Sequence, residues 1–174
     1  MRTNQLVSVP LAETFAPDRL STDKAARYAE VAQEIAAVLD GEPNRTARMA
    51  TVASMLANSF AHFFWTGFYV VDPDTPDELV VGPYQGTLGC LRIAFGRGVC
   101  GAAAASGQIQ LVEDVHAFAG HIACDARSRS EIVLPVFDKD GALIAVFDVD
   151  ATEPAAFDAV DSDGLALILK QTFG

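Results

Sequence analysis

The stretch Glu131–Ala151, EIVLPVFDKDGALIAVFDVDA, decides the fold. Two apolar, β-branched runs, Ile132–Phe137 and Leu143–Val149, flank the segment DKDGA. Runs of that length and composition form strands. Asp140-Gly141 is a dipeptide that closes antiparallel strands, because its glycine accepts a positive φ. An antiparallel hairpin is therefore expected here. Alternate residues of a strand share a face, so Asp148 and Asp150 point the same way. Glu131 opens the preceding strand and lies near them across the ladder.

Upstream, the short segment TGFYVV, Thr66–Val71, reads as a strand. Leu79–Tyr84 reads as another beyond the turn-rich PDTPDE, 73–78, and Cys90–Phe95 and Ile109–Val112 add two more. GRGVCGAAAASGQ, 96–108, is a glycine-opened turn into a short alanine-rich helix. It lacks the Lys-Ser/Thr ending of a phosphate loop and the spacing of a dinucleotide fingerprint. A loop over 113–130 holds His116, His121 and Cys124. Asp23–Leu39 has helical spacing, with Ala26, Val31, Ile35, Val38 and Leu39 on one face, Ser21 or Thr22 as cap, and Gly41 and Pro43 as terminators. Asn44 caps a second helix from about Arg45 to Phe63, with Met49, Val52, Met55, Leu56 and Phe60 inward. Phe157–Phe173 is a further helix. Residues 1–19 read as an arm and 20–174 as one domain. The class is α+β: an antiparallel sheet of about six strands, helices packed on one face, and a loop-covered pocket on the other.

Composition narrows the function. The chain has 174 residues, 51% of them hydrophobic, which suffices for a sizeable core. Its net charge of −11 repels a phosphate backbone and an anionic membrane surface, so neither nucleic acid nor membrane is an expected partner. No apolar run reaches the roughly 20 residues of a bilayer span. The start, MRTNQLVSVPLAETF, lacks the apolar run of a secretion signal, so a cytoplasmic location is expected.

The three cysteines are spaced C-x9-C-x23-C. An odd number does not suit a secreted disulfide framework, and structural zinc sites pair their ligands at C-x2–4-C. No bound metal is expected on spacing grounds. Cys90, Cys100 and Cys124 are then either inert buried residues or reactive thiols. Arg92, Arg127 and Arg129 are basic neighbours that lower a thiol pKa where they approach it, and Cys100 lies at a helix start, which also favours thiolate. The histidines His116 and His121 have no evident partner in the sequence.

Glu131, Asp148 and Asp150 repel one another if brought together, so they call for a metal ion, an arginine or a bound ammonium group as partner. The plainer alternative for Asp148 and Asp150 is a solvated strand end. Trp65 and Tyr69 lie four apart and share a face in a regular strand, as pocket wall or as core.

Taken together, FWTGFYVVD, LVVGPYQGTLGCLRIAFGRGVCGAAAASGQ, VEDVHAFAGHIACDARSRSEIVLPVF and AVFDVDA closely resemble the free methionine-(R)-sulfoxide reductases, small GAF-domain enzymes. The resemblance spans roughly residues 20–173 and includes all three cysteines, the acidic triplet and the aromatic pair. It implies a GAF-like catalytic domain with Cys124 as nucleophile, Cys90 as main resolving thiol and Cys100 as a second one. It implies that Trp65 and Tyr69 wall the substrate pocket and that Glu131, Asp148 and Asp150 hold the substrate. It further implies no bound cofactor, thioredoxin as external reductant and a homodimer. The alternatives are a GAF-type sensor without turnover, a metal-binding protein and a structural domain with buried thiols. A sensor is expected to carry an output domain, and the sequence read here ends at Gly174.

Overall fold

The hairpin around Asp140-Gly141 forms in the computed structural model of the protein, which describes residues 23–120 and 125–174. β5 (Ser130–Phe137) pairs antiparallel with β6 (Leu143–Ala151). Gly141 takes φ 79°, and the Asp138 carboxylate accepts the backbone N–H groups of Asp140 and Ala142, each at 3.0 Å. The expected arm over residues 1–19, the Ser21/Thr22 cap, His121 and Cys124 lie outside the described residues.

Four further strands complete the sheet: β1 (Trp65–Val71), β2 (Glu78–Gln85), β3 (Arg92–Ala94) and β4 (Gln110–Val112). Their order is β3-β2-β1-β6-β5-β4, with every neighbouring pair antiparallel. The β5–β6 hairpin thus joins the β1 side of the sheet to the β4 edge.

Helices α1 (Lys24–Val38), α2 (Arg45–Ser59), α3 (Gly98–Ser106) and α4 (Ala159–Phe173) flank it. α2 and α4 lie on one face of the sheet, and α1 packs against both. Phe68, Phe147, Ile132 and Leu134 point into that layer and meet Val52, Leu56, Leu165 and Ile168, all essentially fully buried. Each such side chain contributes about 1.5–3 kcal/mol by leaving water. α1 and α4 touch closely because Gly164 has no side chain: a Cβ there would lie 2.3 Å from the Tyr28 ring. Beside it the buried Asp161 carboxylate accepts from the Tyr28 hydroxyl at 2.9 Å, Lys24 Nζ at 2.6 Å and the Asp158 backbone at 2.8 Å. A buried charge needs such partners.

Three readings of the sequence need correction. α1 is capped by Asp23, whose carboxylate accepts from the Ala25 N–H, one or two residues later than expected. α2 stops at Ser59 and not Phe63, because Phe60 turns to an extended backbone and its ring stacks between Tyr28 and Phe63. Finally, helices do not all pack on one face. The sheet's other face carries α3, whose Val99, Cys100, Ala103 and Ala104 pack with Tyr69, Val133 and Val146. An alanine-rich helix is thin enough to lie there and leave a cleft beside it.

Candidate active site

The cleft opens on the α3 face, and its floor is set by strand register. Along β1, Trp65, Gly67 and Tyr69 alternate onto that face and stand opposite Asp150, Asp148 and Val146 of β6. On the far side of β6, Glu131 pairs with Asp150, and Val133 with Asp148. One row across the sheet is therefore Trp65, Asp150, Glu131, and the next is Gly67, Asp148, Val133. The alternation expected from sequence brings all three carboxylates to one cleft beside the aromatic pair, and Cys100 joins them from α3.

The aromatic wall is larger than the sequence suggested. Trp65 stacks on Tyr69 at 5.5 Å between centroids and on Tyr84 at 5.2 Å. Gly67 makes this possible, since a Cβ there would fall 2.3 Å from that of Tyr84. A bulge in β2 around Gly82-Pro83 shifts Tyr84 into position, and proline in a strand is a sign of such a bulge. Trp65 Nε1 donates to the Thr87 carbonyl at 3.0 Å, and the Cys90 backbone N–H donates to the Tyr69 hydroxyl. The loop carrying Cys90 is thereby tied to the aromatic wall.

Thr87 has a second tie. Its hydroxyl donates to Asp125 Oδ2 at 2.8 Å. Arg127 holds the same carboxylate through Nε at 3.0 Å and a terminal nitrogen at 2.8 Å, while its guanidinium lies 4.7 Å from the Phe64 ring centre. The Arg127 contacts hold the Asp125 carboxyl well below the usual carboxylate range.

Burial governs the electrostatics. It pushes the Glu131 carboxyl well above its ordinary value, with the charges of Asp148 and Asp150 adding to the effect. Asp148 rises for the same reason, burial first and then Asp150. Asp150 is only half-buried and rises to about 6, because burial is opposed by a hydrogen bond from Ser128. Burial and mutual repulsion thus favour the protonated form of Glu131 and Asp148 most strongly, and that of Asp150 least. Asp148 Oδ1 is buried with no hydrogen-bond partner among the described residues. Ligand atoms of Cys100, Glu131 and Asp148 lie within 4.8 Å of one another, with Cys100 Sγ 3.9 Å from Glu131 Oε1.

Of the two alternatives for Cys100, a buried thiol or a reactive one, its setting is that of a buried thiol. Cys100 is a free, buried thiol whose pKa is raised, by burial and then by the charges of Asp148 and Glu131. The helix start does not overcome this. Cys90 is disulfide-bonded. Arg92 pairs with Asp72 and Glu78 at 2.5 and 2.7 Å, Arg127 with Asp125, and Arg129 with Asp114 at 3.7 Å, so each arginine answers a carboxylate. His116 sits exposed in a short 3-10 helix, Val115–Ala117. Sequence reasoning missed Tyr84, Thr87, Asp125 and Ser128. Tyr84 carried a usable signal, as an aromatic at a strand end beside Gly-Pro, and the others did not.

Residues 48–172 match the family model of the GAF domain. The free methionine-R-sulfoxide reductase of Escherichia coli strain K12 is 44% identical over 83% of this chain and 85% of its own length. The Saccharomyces cerevisiae protein of the same name is 37% identical over 75% of each. A solved structure of free methionine-R-sulfoxide reductase from Neisseria meningitidis, in complex with its substrate, is 47% identical. It covers 87% of this chain and 89% of that one, with a TM-score of 0.82.

Proposed function

The chain belongs to the free methionine-R-sulfoxide reductase family of GAF-domain proteins, and on that premise we propose that it is an oxidoreductase that reduces free L-methionine-(R)-sulfoxide to methionine. One observation carries the reading. Glu131, Asp148 and Asp150 converge on a cleft walled by Trp65 and Tyr69, an arrangement that calls for a cationic, partly apolar ligand. A free amino acid bearing a thioether-like side chain has both parts.

Asp150, ionised at neutral pH, binds the substrate's α-ammonium. Glu131 and Asp148 retain a proton and hydrogen-bond the sulfoxide oxygen, which makes the sulfur electrophilic. Trp65 and Tyr69 enclose the S-methyl group. Cys124, the nucleophile by family resemblance, attacks the sulfur as thiolate. The sulfoxide oxygen passes to the cysteine as sulfenic acid and methionine departs. A resolving thiol then displaces that oxygen as water and forms a disulfide, which an external dithiol protein, thioredoxin, reduces. The engagement of Cys90 in a disulfide and its tie to the aromatic wall support its resolving role. A reducing compartment such as the cytoplasm suits this cycle. Among the described residues no helix is long and apolar enough to cross a membrane.

A peptide-bound methionine sulfoxide has no α-ammonium, so the site selects by a group it requires. The test compares free methionine-(R)-sulfoxide with the same sulfoxide inside a peptide. Fast turnover of the first and none of the second is expected, with loss of turnover in Cys124→Ser. Equal rates on both substrates, or undiminished turnover in that variant, contradict the proposal.

A further inference from the structure

In the proposed reaction Asp150 takes the ammonium and Glu131 and Asp148 face the sulfoxide oxygen, whereas the buried Cys100 thiol set among these carboxylates takes no part. Cys100 is 4% exposed and free, and its sulfur lies 3.9 Å from Glu131 Oε1. Asp148 is 5% exposed, lines the same cleft and has one oxygen without a hydrogen-bond partner among the described residues. A buried carboxylate oxygen in that condition asks for a donor or a cation. We propose that Cys100, Glu131 and Asp148 form an inhibitory binding site for a thiophilic divalent metal ion of the Zn2+ class.

The geometry suits such an ion. With a metal–sulfur bond of about 2.3 Å and a metal–oxygen bond of about 2.1 Å, a sulfur–oxygen separation of 3.9 Å gives an angle of about 125° at the metal. That is near the tetrahedral value. The ligand atoms of all three residues lie within 4.8 Å of one another, so side-chain rotation of about an ångström completes a three-ligand site. The donors come from three separate elements, α3, β5 and β6, whose register is fixed by the sheet. One thiolate with two carboxylates selects a borderline-soft ion over Mg2+ or Ca2+, which prefer all-oxygen sites. Three protein ligands leave a fourth position facing the cleft, where a substrate group or water would stand. No spacing in the sequence reveals this set, because the ligands meet only through the fold.

The inhibitory part rests on the reductase reading, since an ion bound to Glu131 and Asp148 occupies carboxylates that the substrate needs. The binding part does not, so the two are tested apart. Fully reduced, metal-free protein is titrated with Zn2+ by calorimetry and with Co2+ by near-ultraviolet absorption, where a thiolate–cobalt bond gives an intense band. One ion per chain and a thiolate–cobalt band are expected. Cys100→Ser should abolish the band, and Asp148→Asn should weaken Zn2+ binding at least tenfold. Cys90→Ser and Cys124→Ser should retain both signals. Absence of saturable binding to the wild-type protein overturns the proposal whatever the variants do. So does a band that survives Cys100→Ser, or one that is lost with Cys124→Ser. Zn2+ should also inhibit turnover competitively with free methionine sulfoxide. Tight binding at this triad without inhibition overturns its inhibitory role and leaves the reductase reading intact, because turnover is measured separately without metal.

Discussion

Glu131 stands directly opposite Asp150 across the β5–β6 ladder, so two carboxylates face one cleft from adjacent strands. They are not equivalent. Burial, with the charges of Asp148 and Asp150 added, pushes the Glu131 carboxyl well up, whereas Asp150 reaches only about 6 because a hydrogen bond from Ser128 opposes burial. Environment thus sets three similar carboxyls at different proton affinities, Asp150 being the readiest to ionise.

Substrate affinity should follow the charge on Asp150. A carboxyl with a pKa of about 6 is ionised above that pH and neutral below it. KM for free methionine sulfoxide should be flat above pH 7 and rise as the pH falls through 6. Asp150→Asn should raise KM roughly 10- to 100-fold at pH 7, the cost of about 1.5–3 kcal/mol for a lost charged hydrogen bond, and remove the pH dependence. Steady-state kinetics between pH 5 and pH 8 checks both.

The same variant should be more stable than the wild-type protein. Asp150 has a folded-state pKa above its unfolded value, so its contribution is favourable at low pH and is lost as the pH rises through about 6. At pH 7 the ionised, half-buried group therefore costs the fold on the order of 2 kcal/mol after allowance for solvent screening. Asp150→Asn should raise Tm by roughly 4–8 °C at pH 7, and by much less at pH 4, where the wild-type group is protonated. Thermal unfolding at the two pH values is the measurement, and equal shifts would contradict the burial argument.

The Thr87–Asp125 hydrogen bond joins the loop that carries Cys90 to the residue following Cys124. Thr87→Val removes it and leaves the Trp65 bond to the Thr87 carbonyl intact. Turnover should fall about five- to tenfold through the loss of loop positioning, with KM little changed. Thr87→Ser should restore it. Parallel loss in both variants would mean that the methyl group matters and not the hydroxyl.

Gly89 lies against the pocket wall. A Cβ there would fall 2.8 Å from the Tyr69 hydroxyl and 3.2 Å from the Trp65 ring. Gly89→Ala should therefore push the Cys90 loop off the aromatic pair. Turnover should drop at least tenfold, while Tm changes by no more than a few degrees, because the loop contributes little to the main core. Trp65 fluorescence offers a direct view of the displacement.

Much of this was legible in the sequence because it depended on local period. The Asp140-Gly141 turn, the shared face of Asp148 and Asp150 and the shared face of Trp65 and Tyr69 follow from strand alternation alone. The position of α3 across the sheet was not legible, since an alanine-rich segment has no apolar stripe to show which layer it joins. The sequence left the state of Cys100 open for a related reason. Its neighbours in sequence are glycines and alanines, whereas its neighbours in space are Glu131 and Asp148. Thr87 and Asp125 lie 38 residues apart and carry no motif, so only the fold could pair them. Arg92 and Arg127 looked like thiol activators by proximity in sequence, and each is held by a carboxylate.

The most direct measurement of the central claim is turnover of the separated R and S diastereomers of free methionine sulfoxide, coupled to thioredoxin. Consumption of the R form with stoichiometric release of methionine, and none of the S form, is the expected result. No methionine from either form, or equal consumption of both, contradicts a reductase site built from Glu131, Asp148, Asp150, Trp65 and Tyr69.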